Sequence, residues 1–316
     1  MKYIETFREG DRVGDIYLCK SISSAVTKNG KPYQSMILQD KTGTIDAKIW
    51  DPNSLGIDDF EALDYVDVVG DVISFNGMLQ LNVKRARKVS DGEYDPKEYL
   101  PVSERNIEEM YGELLQFIAS VKNPYLNGLL EHFFVKDVDF VKRFKNHSAA
   151  KNVHHSFIGG LLEHTLSVTK LCDYYARSYT CINRDLLLTA AMFHDIGKLK
   201  EIAPFPVNDY TDDGNLLGHI VMGSQQIAEA AGKIPGFPDR LLAQLQHCIL
   251  AHHGELEYGS PKKPSLIEAV ALNLADNTDA KLETMREILE GTTSADGSEW
   301  LGYNRLFEVN IRRTTI

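Results

Sequence analysis

The chain changes its hydrophobic rhythm once. Through residues 1–95 apolar and polar positions alternate in short runs, the period of half-buried strands. Val13–Val26, Tyr33–Gln39, Thr44–Trp50, Val66–Phe75 and Met78–Val89 read as five strands. Asn29-Gly30, Asp40-Lys41-Thr42-Gly43 and Asn76-Gly77 separate them as turns, because their residues tolerate positive φ. The acidic stretch Ile57–Ala62 is expected as a short helix between the third and fourth strands. Beyond residue 102 the apolar positions recur every three or four residues instead, the period of helices with one buried face.

Five strands with a helix in that place predict an OB-type barrel. Tyr94–Val102, with Pro96 and Pro101, reads as a linker, and Ser103 as the N-cap of a helix reaching about Val121. Pro124–Phe134, Val138–Phe144, His155–Tyr179, Asp185–Asp195, Leu216–Ala231, Asp239–Ala251 and Ser265–Leu289 follow as helices. The expected fold class is therefore multi-domain α+β, an N-terminal five-stranded OB-type β-barrel followed by an all-α helical bundle. The expected division is a barrel over 1–95, a linker and connecting helix over 96–122, a helical domain over 123–290 and a tail over 291–316. The tail carries Gly-Thr-Thr-Ser, then Tyr303, Phe307 and Val309, with nothing to say where they pack.

A length of 316 residues fits two domains, and 43% apolar with 25% charged residues fits a soluble packed core. No apolar run reaches the roughly 18 residues of a membrane span, and Met1–Arg12 has no apolar core, so neither a membrane partner nor a signal peptide is expected. The four cysteines form no C-x-x-C pair and are expected as reduced thiols of a cytoplasmic protein. A net charge of −11 argues against a surface that coats nucleic acid as a whole. A local groove is compatible with it. Within residues 1–95, Tyr33, Trp50, Phe75, Lys84, Arg85, Arg87 and Lys88 are candidates to hold a single strand by stacking and charge. The competing reading makes Trp50 and Phe75 core and the basic cluster a solvated strand edge. It has weight because this segment carries 12 Lys and Arg against 16 Asp and Glu.

The chemistry concentrates in the helices. The apolar run Leu186–Phe193 ends in His194-Asp195, followed by Gly197 and Lys198. An imidazole and a carboxylate at the end of a core helix cost free energy unless compensated, and a metal ion is the usual compensation. His164, His219, His252, His253 and Asp276 each lie among apolar residues on other helical segments. Taken singly each is a hydrogen-bonded core histidine or a helix carboxylate. Together the seven supply ligands for two ions. His164, His194, Asp195 and Asp276 form one set; His219, His252 and His253 form the other, with Asp195 shared. Two ions roughly 3.5–4 Å apart lower the pKa of a shared water and clamp a phosphate. The mixed nitrogen and oxygen donors suit Mn, Fe or Co, with Zn open. Lys198 is a candidate phosphate contact or a helix C-terminal lysine. His154 or His155, beside Gly159-Gly160, is a candidate for phosphate contact or leaving-group protonation, or else a capping residue. Lys262 and Lys263 are candidate guides for a nucleic-acid backbone, and Arg143, Asn146 and His147 candidates for the same mouth.

The order His164 … His194-Asp195 … His219 … His252-His253 … Asp276 resembles the HD-domain phosphohydrolase superfamily over about residues 146–285, in its two-metal branch. The Gly-Tyr-Pro motif of the cyclic-dinucleotide branch is missing, since Glu257-Tyr258-Gly259-Ser260-Pro261 stands there. A barrel joined to such a domain resembles the YhaM family of 3′→5′ exoribonucleases. That resemblance implies two divalent ions, Mn²⁺ first, and release of 5′-mononucleotides from single-stranded RNA or DNA with a free 3′ end. In HD enzymes a lysine at the position of Lys198 often serves the site. The resemblance leaves homo-oligomerisation open. Three other readings compete: a phosphohydrolase of small nucleotides or cyclic dinucleotides, a di-iron oxygenase, and a binding module with a structural metal.

Overall fold

The structure, a computed structural model, describes residues 1–151, 155–291 and 299–314. The chain divides into two compact units, Met1–Val102 and Ser103–Ile316.

In the first unit β1 (Arg12–Val26), β2 (Pro32–Asp40), β3 (Gly43–Ile49), β4 (Tyr65–Phe75) and β5 (Met78–Lys88) close a barrel in the order β1-β2-β3-β5-β4. β1 is long enough to serve two neighbours. Its first half pairs with β4 and its second with β2, and a register shift between Cys19 and Ser21 bends it from one to the other. The parallel β3–β5 pair closes the ring. Alternate residues fill the interior, Met36 and Leu38 on β2 being buried while Ile37 between them is exposed. The expected helix over Ile57–Ala62 does not form. Gly56 takes φ +98, and Ile57 bridges in parallel to Ala86, so the backbone finds its partner on β5 instead of in a helical turn.

The second unit holds α1 (Ile107–Ser120), α2 (Pro124–Glu131), α3 (Val138–Asn146), α4 (Gly160–Ser178), α5 (Arg184–Phe193), α6 (Lys198–Glu201), α7 (Asp212–Ala231), α8 (Asp239–Leu250) and α9 (Ile267–Gly291). A π-helical turn, His132–Lys136, follows α2. Side-chain caps set many of the starts: Asn106 for α1, Asn123 for α2, Asp137 for α3, Asn183 for α5 and Thr211 for α7. Ser103 is not the cap of α1 that the sequence suggests. Its hydroxyl donates to Glu163 at 2.5 Å, leaving Asn106 to accept the free amides of Glu108 and Glu109. The long helix likewise begins at Gly160 and not at His155, whose φ is +59. α7 breaks at Gly218, where φ is 72 and ψ 157, so His219 opens a fresh run.

α5 is the axis of this unit. Every residue from Leu186 to Phe193 is buried, which explains why all of them but Thr189 are apolar; the Thr189 hydroxyl donates back to the Asp185 carbonyl at 2.7 Å. Phe133, Phe134, Phe140 and Phe144 crowd one end of it, with the Phe133 and Phe134 rings within 6 Å of Phe193. The tail forms a hairpin of β6 (Trp300–Asn304) and β7 (Val309–Arg312); Gly-Thr-Thr-Ser lies outside the described residues apart from Gly291, the last residue of α9. No helix among the described residues is long and apolar enough to cross a membrane.

Gly70 on β4 gives the barrel a sharp test. A Cβ there would stand 2.5 Å from the Asn82 carbonyl oxygen on β5, with no flexible side chain to yield. Gly70→Ala is expected to cost about 1–3 kcal/mol, the usual range for overpacking. The denaturant midpoint followed by tryptophan emission measures it, and an unchanged midpoint would mean the two strands can part without penalty.

Candidate metal centre

The residues that end α5 meet residues from α4, α7, the turn after α8, and α9. His164 Nε2 and His194 Nε2 lie 3.1 Å apart. Asp195 Oδ2 is 3.4 Å from the first and 3.3 Å from the second. Asp276 Oδ1 is 3.2 and 3.8 Å from the same two atoms. The other oxygen of Asp195, Oδ1, faces His219 Nε2 at 3.4 Å and His252 Nε2 at 3.9 Å. Ligand-capable atoms of His219, His252 and His253 lie within 4.8 Å of one another. Ligands about 2.1 Å from an ion stand roughly 3–3.5 Å apart along a polyhedron edge, so these separations suit a cation at each set. All seven expected residues are thus brought together, and Asp195 turns one oxygen to each set.

The second ring nitrogens decide what fits. His194 Nδ1 faces the Ala191 carbonyl at 2.8 Å, His252 Nδ1 that of Ile249 at 2.7 Å, and His253 Nδ1 that of Tyr258 at 2.8 Å. A carbonyl only accepts, so each Nδ1 donates, which leaves Nε2 as the nitrogen turned toward the centre. His164 Nδ1 is held by Asp279 at 2.7 Å, and His219 Nδ1 by Glu201 at 2.9 Å. Both oxygens of Asp195 and the Nε2 atoms of His219 and His252 are buried without a hydrogen bond in the structure. Lys198 Nζ does approach Asp195 Oδ2 to 2.7 Å, as an ion pair outside hydrogen-bond geometry. Buried acceptors facing other acceptors are costly alone and are satisfied by a divalent cation.

The charges agree. Burial pulls the His164 imidazole down, but Asp195, Asp276 and Asp279 outweigh it and hold it well above its usual range. Burial raises Asp195, yet Lys198 and His194 carry it well below the carboxylate range. Burial, helped by neighbouring rings, keeps His252 and His253 low and neutral, the ligating state. For Lys198 burial works downward, and Asp195 more than restores the charge.

These groups open on a cavity of about 640 Å³, lined among others by Asp195, Lys198, Glu201, Tyr210, His219, His253, Tyr258, Asp276 and Asn277. His155 is not on that wall. It is buried with Nε2 2.9 Å from Asp279 Oδ2, on the side of the carboxylate that also holds His164. Gly159-Gly160 serves this turn of chain, since a Cβ on Gly160 would meet the His155 carbonyl at 2.0 Å. Val153 and His154 lie outside the described residues. Arg143, Asn146 and His147 do not line the cavity, and His147 is buried between the Ser148 and Ile202 carbonyls.

The expected nucleic-acid residues separate by type. The Tyr33 and Trp50 rings lie 5.1 Å apart, with Trp50 47% and Phe75 58% exposed, so neither Trp50 nor Phe75 is core. Lys84 pairs with Asp71, Arg87 with Glu93 and Asp67, Lys88 with Asp64, and Lys263 with Glu255. Arg85 lies along Gly56, and Lys262 is exposed.

Sequence reasoning missed Asp279 and Glu201. Asp279 had a signal, because it falls one turn after Asp276 on the same helix face. Glu201 had a weaker one, three positions beyond Lys198. Asp279→Asn and Glu201→Gln are expected to weaken divalent-metal affinity about 10–100-fold, the usual cost of losing such an orienting partner. Calorimetric titration of the metal-free protein measures it, and unchanged affinity would show that packing alone orients the rings.

The sequence matches the family described as HD domain over residues 161–281. Among curated proteins it is 35% identical to the 3′-5′ exoribonuclease YhaM of Bacillus pumilus (strain SAFR-032), over 94% of this chain and 94% of that protein. It is 33% identical to the 3′-5′ exoribonuclease YhaM of Geobacillus sp. (strain WCH70), over 94% of this chain and 91% of that one. Among solved structures, the second OB-fold domain of replication protein A from Methanococcus maripaludis aligns at 18% identity and a TM-score of 0.22, covering 29% of this chain and 98% of that one. With the metal-ligand arrangement inside the HD match and the identity running through both units, this chain belongs to the YhaM family of 3′-5′ exoribonucleases.

Proposed function

We propose that the protein is a metal-dependent 3′→5′ exoribonuclease that trims single-stranded RNA from a free 3′ end and releases 5′-mononucleotides. One observation carries the reading. Imidazole nitrogens and both oxygens of Asp195 converge at a cavity large enough for a nucleotide, with the buried cation Lys198 beside them.

His164, His194, Asp195 and Asp276 would hold one divalent ion and Asp195, His219, His252 and His253 a second. Mn²⁺ is the proposed metal on the family resemblance; the nitrogen and oxygen donors suit Fe and Co as well, with Zn open. Bound there, such ions supply a water of lowered pKa and polarise the phosphate oxygens. The chain's own groups do the rest. Lys198, desolvated and kept charged by Asp195, neutralises the phosphate as water adds to phosphorus and the bond to the 3′ oxygen breaks. Glu201 and Asp279 fix the ring planes of His219 and His164. His155 is read as a positioning residue, since its ring engages Asp279 and not the cavity. In the barrel the reading falls on Tyr33, Trp50 and Phe75, whose exposed faces can stack bases, more than on lysines and arginines already paired. The buried thiols of Cys19, Cys172 and Cys248 fit a reducing, cytoplasmic setting.

With Mn²⁺ and a single-stranded RNA labelled at its 5′ end, the protein should shorten the label stepwise and release 5′-mononucleotides. Asp195→Ala should abolish release, and Lys198→Ala should lower kcat about 10²–10³-fold, the cost of removing one group that stabilises developing charge. Cleavage only of cyclic dinucleotides, or oxygen uptake with iron, would replace the reading with one of its rivals.

A further inference from the structure

The cavity beside the metal centre contains more than phosphate chemistry requires. Two tyrosines line it from separate segments: Tyr258, from the loop after α8, and Tyr210, from the loop between α6 and α7. Both rings remain open, Tyr258 at 72% and Tyr210 at 48% exposure. Neither is needed to fill the core, which is packed beneath them by α5 and its neighbours.

The polar groups on the same wall are mostly engaged. Glu201 accepts from the backbone and ring of His219. Glu255 is paired with Lys263 at 2.5 Å, and the amide nitrogen of Asn273 donates to the His252 carbonyl at 2.8 Å. Of the amide side chains on the wall, Asn277 is the exposed one. The wall therefore presents aromatic faces and few groups able to read the edge of a base.

Tyr258 is also tied to the metal centre through its own backbone. Its carbonyl takes the Nδ1 hydrogen of His253 at 2.8 Å, so the loop that carries the ring is indexed to a metal-facing imidazole by one hydrogen bond. Tyr210 is held as firmly. It bridges to Ile202, next to Glu201, and Lys151 lies over its ring at 5.9 Å. Both rings therefore line the same cavity as Asp195 and Lys198.

We infer that Tyr258 and Tyr210 form a nucleobase subsite of this centre, which takes the end of the strand by stacking and without regard to base identity. The inference rests on the exonuclease reading but deepens it, naming the part of the substrate recognised beside the reacting phosphate. Every base has a π-face, so the four 3′-terminal nucleotides are released at comparable kcat/KM, while a terminal sugar phosphate lacking its base is not held.

Binding tests the subsite apart from turnover. The full-length protein with Mn²⁺ is titrated with adenosine 5′-monophosphate and, separately, with ribose 5-phosphate. The wild type is expected to bind the nucleotide about 10-fold or more tightly, in line with one base–aromatic stack. Tyr258→Ala should lose most of that preference, Tyr258→Phe should keep it, and Tyr174→Ala, an exposed tyrosine on α4 away from the cavity, should not change it. Tyr210→Ala is expected to raise KM for a tailed RNA with little change in kcat. Metal content measured on each variant separates a lost stack from a displaced His253, because the Tyr258 carbonyl survives every substitution. Equal wild-type affinity for the two ligands, or a preference that Tyr258→Ala leaves intact, overturns the inference even if mononucleotides are released. A base preference that depends on Tyr258 in a protein that releases none upholds the subsite and removes the exonuclease reading instead.

Discussion

The Nδ1 hydrogens of five histidines are committed to oxygens within the fold, and the occupancy of the interior follows from that. Three of those oxygens are backbone carbonyls, which admit no other direction of donation. The Nε2 atoms are left pointing inward, toward Asp195 and Asp276. Lys198 offsets one carboxylate, and the remaining negative charge of Asp195, Asp276, Asp279 and Glu201 calls for further positive charge. Burying unbalanced charge costs several kcal/mol per ion even after relaxation. The buried stretch Leu186–Phe193 and its phenylalanine collar offset that cost.

The same constraint explains how the helices end. His194 follows α5 and returns its ring to the carbonyl of Ala191; His252 follows α8 and does the same to Ile249, three positions back in both cases. Carbonyls in a helix's last turn have no intrahelical partner, so each ligand imidazole satisfies one while being oriented by it. Both helices also direct their negative ends toward the place where cations are proposed. The approach of the next elements is equally close. A Cβ on Gly197 would meet the His219 carbonyl at 2.0 Å, so glycine is required for α7 to bring His219 up to Asp195. Helix termination, cap chemistry and the convergence of these side chains are here one arrangement.

That coupling accounts for what was legible in the sequence. The five strands of the barrel follow from alternation and turn residues, and the seven inward residues follow from polar side chains set in apolar surroundings. Their grouping around Asp195 was legible because a carboxylate directly after a ligand histidine at a helix end has two oxygens to share. The failures are of another kind. Ile57–Ala62 has helical composition but takes its hydrogen bonds from β5, and Ser103 has capping chemistry but spends it on Glu163. Asp279 and Glu201 sit on helix positions where a solvent-facing carboxylate is commonplace; only the ring nitrogens opposite them, brought near by the fold, distinguish them. Local pattern records which face is buried, whereas a choice among competing polar partners is made in three dimensions.

The basic residues of the barrel make the same point in terms of charge. Lys84, Arg87 and Lys88 alternate with neighbouring-strand carboxylates across an exposed face. Such exposed pairs are individually weak, so a phosphate can compete for the cation at little cost. The carboxylate stays behind, however, and repels the strand that has displaced it. The net field over that face is close to neutral, and a polyanion binding there releases few counterions. Affinity for the proposed substrate then has to come from surfaces indifferent to charge, the open rings of Tyr33, Trp50 and Phe75, and from cations in the metal centre. A protein of net charge −11 can in this way process a polyanion without a basic groove.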